Sequence, residues 1–137
     1  MSFLLDTNVI SEFSRPRPNA DALVWASTAT AIALSVISVD EILFGLTWRP
    51  NARVLAWMEG FFQRHEILPV STMIAHRSGE LRGQFAARGI VRSQADMLIA
   101  ATAQVHQLTL VTRNTRDFEG CGIGLLNPFG PDSLLKP

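Results

Sequence analysis

Short apolar runs, each stopped by a polar residue and each followed by a stretch with helical spacing, recur along this chain, and that alternation restricts its fold more than any other feature. Phe3-Leu4-Leu5 ends at Asp6, and further runs occupy 31–36, 67–70, 108–112 and 123–126. Helices are expected between them. Thr7 and Asn8 open one that reaches about Phe13, Arg15-Pro16-Arg17-Pro18-Asn19 breaks the chain, and a second spans 20–28. Ser38-Val39-Asp40-Glu41 has the form of a capping box, predicting a helix from Ser38 to about Trp48 that Pro50 ends. Val54, Leu55, Met58, Phe61 and Phe62 recur at spacings of three and four, one face of a helix over 51–64. Ser71 opens another that Gly89 closes, and Ser93-Gln94-Ala95-Asp96 caps a last one reaching about His106. Strands separated by helices pair mainly in parallel, because a helical crossover returns the chain to the same end of the sheet. The expected class is α/β with a mainly parallel central sheet.

The 137 residues suit one domain over 1–137, large enough for a core without disulfides or a structural metal. Twelve Lys+Arg balance twelve Asp+Glu, which excludes nucleic-acid binding by bulk basic charge; any such contact has to be local. Arginine dominates the bases, and Lys136 is the only lysine. The lone Cys121 fits a reducing compartment, and no signal-peptide or membrane-length apolar stretch occurs, so a cytoplasmic protein is expected.

Ligands of parallel α/β folds bind beyond the carboxyl ends of the strands. Asp6 follows the first run, Glu41 lies just after the second, and Thr112-Arg113-Asn114-Thr115-Arg116-Asp117 follows the fourth; Asp96 opens the helix leading into that run. Taken singly, Asp6, Glu41 and Asp96 read better as helix caps or capping-box acids than as site residues. Taken together they would crowd carboxylates into one volume, which a divalent cation compensates, and oxygen donors without His or Cys favour Mg²⁺ or Mn²⁺ over zinc.

Five blocks in order carry a resemblance: Leu4-Leu5-Asp6-Thr7-Asn8-Val9-Ile10-Ser11, Ser38-Val39-Asp40-Glu41-Ile42-Leu43-Phe44-Gly45, Asp96-Met97-Leu98-Ile99-Ala100-Ala101-Thr102-Ala103, Leu110-Val111-Thr112-Arg113-Asn114 with Asp117-Phe118, and Asn127-Pro128. Over 3–128 the chain resembles PIN-domain ribonucleases, and within them the VapC-type toxins of toxin–antitoxin pairs, including the FitB-like branch. The resemblance implies an α/β/α sandwich and a Mg²⁺- or Mn²⁺-dependent endoribonuclease. It implies metal-holding roles for Asp6, Glu41 and Asp96, with Asn8 and Thr112 as supporting polar residues. Where the family often has a fourth acid this chain has Asn114, so Asn114 would offer a neutral carbonyl ligand and Asp117 would supply the charge. A structured RNA such as a tRNA is the implied substrate, an antitoxin protein the implied partner, and a homodimer the implied assembly.

Arg113 and Arg116, beside the acids, are the candidates for RNA contact, while Arg77, Arg82, Arg88 and Arg92 read as a solvated helix face or a phosphate-binding one. The face bearing Met58, Phe61 and Phe62 suits either the core or a second copy of the chain. A haloacid-dehalogenase-type phosphatase is disfavoured, since its second Asp is Asn8 here and no mid-chain lysine exists. The remaining alternative is a catalytically silent PIN domain that binds RNA or protein, motivated by Asn114.

Overall fold

The computed structural model describes residues 2–130, which leaves Lys136 outside the described residues. Five strands, β1 (Phe3–Leu5), β2 (Ile32–Ser35), β3 (Glu66–Leu68), β4 (Thr109–Val111) and β5 (Leu125–Leu126), form one sheet in the order β3-β2-β1-β4-β5. Every pairing is parallel, as expected from the alternation. The helices are α1 (Thr7–Phe13), α2 (Ala20–Thr28), α3 (Val36–Trp48), α4 (Ala52–Arg64), α5 (Thr72–Ala87) and α6 (Gln94–Val105), with a short 3-10 helix over Thr115–Phe118.

Successive strand side chains point to opposite faces, so a parallel strand covered on both sides is apolar throughout. In β1, Leu4 packs with Leu81 and Phe85 of α5 and with Met97 and Ala100 of α6. Phe3 and Leu5 instead join Ile10, Trp25, Ile42, Met58 and Phe61 from α1 to α4. Three layers result, the expected α/β/α sandwich. Ala100, Ala101 and Ala103 are fully buried, and their small side chains let α6 lie close to the sheet.

Several local expectations need correction. Helix α3 starts at Val36, not at Ser38, because Ser35 at the strand end is already a cap, its Oγ accepting the Ile37 N–H at 3.0 Å. Ser38 and Glu41 therefore form no capping box; Ser38 is buried inside the helix. Strand β3 stops at Leu68, since Pro69 has no N–H to give to a ladder. Strand β5 is reduced to two residues after Gly120 and Gly122, both at positive φ, turn the chain. Met58 and Phe61 belong to the core, so they present no face to a second copy. Gly89 does close α5: at φ 77° it lets its own N–H reach the Ala86 carbonyl and the Ile90 N–H reach the Phe85 carbonyl.

The chain steps outward from β1 through β2 to β3 and then crosses back through α5 and α6 to β4 on the other side of β1. The strand order therefore reverses between β1 and β4, the point at which parallel α/β sheets open a crevice beyond the carboxyl ends of their strands. Asp6 and Thr112 are the first residues past those two strands.

Candidate active site

Asp6 caps α1, its Oδ1 accepting the Thr7 N–H at 2.8 Å. Its Oδ2 accepts the Thr112 hydroxyl at 2.7 Å and the Asn8 side-chain amide at 3.2 Å. All three donors are neutral, although the carboxylate is only 5% exposed. Burial drives its pKa up; the bonds from Thr112 and Thr7 pull the other way, Asp96 and Glu41 add repulsion, and the net shift is upward. A buried anion without a cationic partner is costly, and this one sits at the mouth of the crevice.

The residues around it form a closed hydrogen-bond set. Thr112 gives its one hydroxyl hydrogen to Asp6 and accepts from the Asn114 N–H at 3.0 Å, while Asn8 Oδ1 accepts the Arg113 N–H at 3.2 Å. Asn8 and Thr112 thus tie the loop after β4 to the end of β1.

Glu41 lies exposed on the second turn of α3, and its Oε1 is 2.7 Å from the Thr7 hydroxyl, which is 2.9 Å from the Ser38 hydroxyl. Thr7 has one hydrogen to give, and the carboxylate is the stronger acceptor, so Ser38 donates to Thr7 and Thr7 to Glu41. Sequence reasoning missed Thr7 and Ser38 as site residues, because the S-x-x-E spacing made Ser38 look like a cap.

Asp96 stands in the first turn of α6, where Ser93 caps the helix by accepting the Asp96 N–H at 3.1 Å. Burial raises its pKa; Ser93 and Arg92 lower it, Asp117 and Glu41 raise it, and the shift is again upward. Asp6 is therefore close enough to feel the charges of Asp96 and Glu41, and Asp96 those of Asp117 and Glu41. Asp117 is exposed on the 3-10 helix, and its carbonyl and that of Glu119 are held by the Arg92 guanidinium, which lies 4.3 Å from the Phe85 ring centroid. Asn114 is exposed at the start of that helix and makes no side-chain cap bond. Arg116 is exposed, with no ion pair among the described residues. Arg113 is engaged elsewhere: it pairs with buried Glu12 at 3.2 Å and lies 3.9 Å from the Phe129 ring centroid. Glu12 was also missed, since no spacing marks it in the sequence.

The donors fit a hard cation, being carboxylates, hydroxyls and amides with neither imidazole nor thiol among them. Among the described residues no three acidic, imidazole or thiol groups converge tightly enough to hold one ion unaided.

A family profile described as PIN domain matches residues 3–121. A VapC ribonuclease, Y4jK, of Sinorhizobium fredii is 32% identical, with 93% of this chain and 98% of the relative covered. Toxin FitB of Neisseria gonorrhoeae is also 32% identical, over 92% and 97% of the two chains. A tRNA(fMet)-specific endonuclease VapC of Salmonella typhimurium is 31% identical over 87% and 91%. Among solved structures, FitAcB from Neisseria gonorrhoeae superimposes with a TM-score of 0.80 at 32% identity, covering 93% of this chain and 98% of that one. DNA-bound VapBC from Salmonella typhimurium gives 0.80 at 29% identity, with the same coverage.

Proposed function

Because the chain belongs to the PIN-domain family, among the VapC-type ribonucleases of toxin–antitoxin pairs, we propose that it is a Mg²⁺- or Mn²⁺-dependent endoribonuclease acting at the Asp6 crevice. The observation that carries this reading is Asp6 itself, a buried carboxylate at the sheet's switch point, bonded only to neutral donors and repelled by Asp96 and Glu41. Asp6 and Asp96 would hold the cation directly, with Glu41 and Asn114 or Asp117 reaching it through water. Bound there, a divalent cation supplies charge neutralisation at the phosphodiester and an acidified water.

The chain's own residues do the rest. Thr7, Asn8 and Thr112 fix the orientation of the Asp6 carboxylate. Glu41, aimed by Thr7, takes the proton of the attacking water. Arg116, exposed beside the acids, is free to meet a phosphate. A structured RNA is the substrate class, and a tRNA is the first to try, since one relative carries that specificity in its name.

An antitoxin is the expected protein partner, because the structural neighbours are toxin–antitoxin complexes. Phe44 and Trp48, each 68% exposed, line an open cleft on α3 with Asp40, Leu43 and Thr47, and such apolar surface suits a protein contact, whether with antitoxin or with a second copy. Among the described residues no helix is long and apolar enough to cross a membrane.

The test is incubation of the purified protein with total tRNA and with Mg²⁺, Mn²⁺ or EDTA. Cleavage with either ion and none in EDTA is expected; cleavage in EDTA would sink the metal assignment. No cleavage under any condition would favour the binding module that the neutral Asn114 suggests. Thr7→Val, which keeps the side chain's shape but loses its hydroxyl, is expected to slow cleavage about 10- to 100-fold by releasing Glu41. An unchanged rate in a single-turnover assay would show that Glu41 needs no such support.

A further inference from the structure

Only two carboxylates are buried among the described residues, Asp6 and Glu12, and the proposed chemistry uses only the first. Glu12 lies in the last turn of α1, the helix that Asp6 caps. Its Oε2 accepts the Asn19 N–H at 2.8 Å, and its Oε1 accepts from Arg15 and from Arg113, each at 3.2 Å. Burial pushes its pKa up, but the Asn19 amide and the two guanidinium groups outweigh that and leave it below the ordinary range.

Arg113 is the informative partner. Arg15 is a local neighbour just past the same helix, whereas Arg113 comes from the loop after β4. Helix α1 therefore grips residue 113 twice: Asn8 Oδ1 takes its backbone N–H, and Glu12 takes its guanidinium. The guanidinium also lies against the Phe129 ring, 3.9 Å from its centroid, while the side chain stays half-exposed. Immediately before residue 113 stands Thr112, the donor to Asp6, and immediately after it Asn114, whose N–H orients that same Thr112 hydroxyl. Two attachment points fix both the position and the rotation of a loop, where one would leave it free to pivot.

From this juxtaposition we infer that Glu12 is a positioning residue, which through Arg113 fixes the 112–114 loop so that Thr112 and Asn114 are correctly set against Asp6. The inference rests on the ribonuclease reading of the Asp6 crevice. It reassigns Arg113, though half-exposed, from substrate contact to internal brace, and leaves Arg116 as the exposed arginine there with no ion pair among the described residues.

The test compares Glu12→Gln, Arg113→Gln and the double variant by kcat and KM on a tRNA with Mn²⁺, and by amide hydrogen exchange at residues 112–114. Each single change is expected to lower kcat about 10- to 100-fold with KM within about threefold, and the double to be no worse than the weaker single, as for two members of one link. Exchange at the Arg113 and Asn114 amides is expected to quicken about tenfold or more while β1 and β2 amides keep their protection. Should Glu12→Gln loosen the whole fold, Arg113→Gln still decides, because Glu12 then keeps Arg15 and the Asn19 amide. A KM increase confined to Arg113→Gln would mark Arg113 as an RNA contact and overturn the inference, as would unchanged kcat and exchange in both. If the unaltered protein cleaves no RNA, the ribonuclease reading fails by itself; exchange then decides this one, faster loop exchange supporting the brace and unchanged exchange refuting it.

Discussion

Asp6→Asn is expected to lower RNA cleavage by roughly 10³-fold or more, the loss of about 4 kcal/mol of transition-state stabilisation, while leaving the metal-free fold about as stable as before. The two halves of this outcome have different causes. Cleavage is lost because an amide cannot provide the anionic oxygen that a hard cation requires. Stability is kept because the carboxylate is a burden to the metal-free protein: burial and the nearby Asp96 and Glu41 all disfavour its charged form. An asparagine removes that charge and can still accept the Thr7 N–H, although it presents an amide nitrogen to the Asn8 amide and must rely on the Thr112 hydroxyl turning. Asp6→Ala behaves differently, since it leaves the Thr7 N–H, the Thr112 hydroxyl and the Asn8 amide without an acceptor, at about 1–3 kcal/mol for each group that water cannot reach. Cleavage assays and thermal melts of both variants check the pair. An Asp6→Asn variant that cut RNA within about tenfold of the original rate would remove Asp6 from the site.

The legible parts of this molecule are those where one residue type has one physical use. Parallel strand pairing followed from β–α alternation, because helical crossovers admit little else, and Gly89 at a helix end is hard to misread. Caps were less transparent. Ser35 and Ser38 both precede the apolar part of α3, and only the location of the β2 terminus decides which one caps it. The wrong choice hid the Ser38–Thr7–Glu41 chain, in which Ser38 and Glu41 lie 31 and 34 positions from Thr7. Long-range polar pairs leave no periodicity, and Glu12 with Arg113, 101 positions apart, is the same case. The charge pattern was half visible. Setting the four site acids aside leaves an excess of arginines, but Arg92 and Arg113 are engaged inside the molecule, bracing the 3-10 helix and α1. The surface left for phosphate is therefore smaller than the composition implies.

Adding Mg²⁺ or Mn²⁺ is expected to stabilise the protein, and to do so more as the pH rises toward neutrality. Asp6 and Asp96 have folded-state pKa values above their unfolded ones, so between those values the folded chain binds more protons than the unfolded chain. Stability contributed by these two groups is present at low pH and is lost as pH climbs through the folded values. Glu12 runs the opposite way: its folded pKa is depressed, so its contribution is present above the unfolded value and is lost as pH falls through the folded one. The metal-free protein is thus pressed from both sides, by Glu12 as the pH falls and by the uncompensated Asp6 and Asp96 as it rises. A cation competes with protons for the latter pair, which makes its binding pH-dependent. At about a hundredfold excess over its dissociation constant it adds about 2.7 kcal/mol, which for a domain of this size raises Tm by about 8 °C. Melts over a pH series from about 4 to 7, with and without the ion, should show the larger shift at the higher pH, and Asp6→Asn should abolish most of it. An equal shift across the series, or one that survives Asp6→Asn, would place the cation elsewhere on the surface and leave the buried Asp6 carboxylate without the partner that its burial calls for.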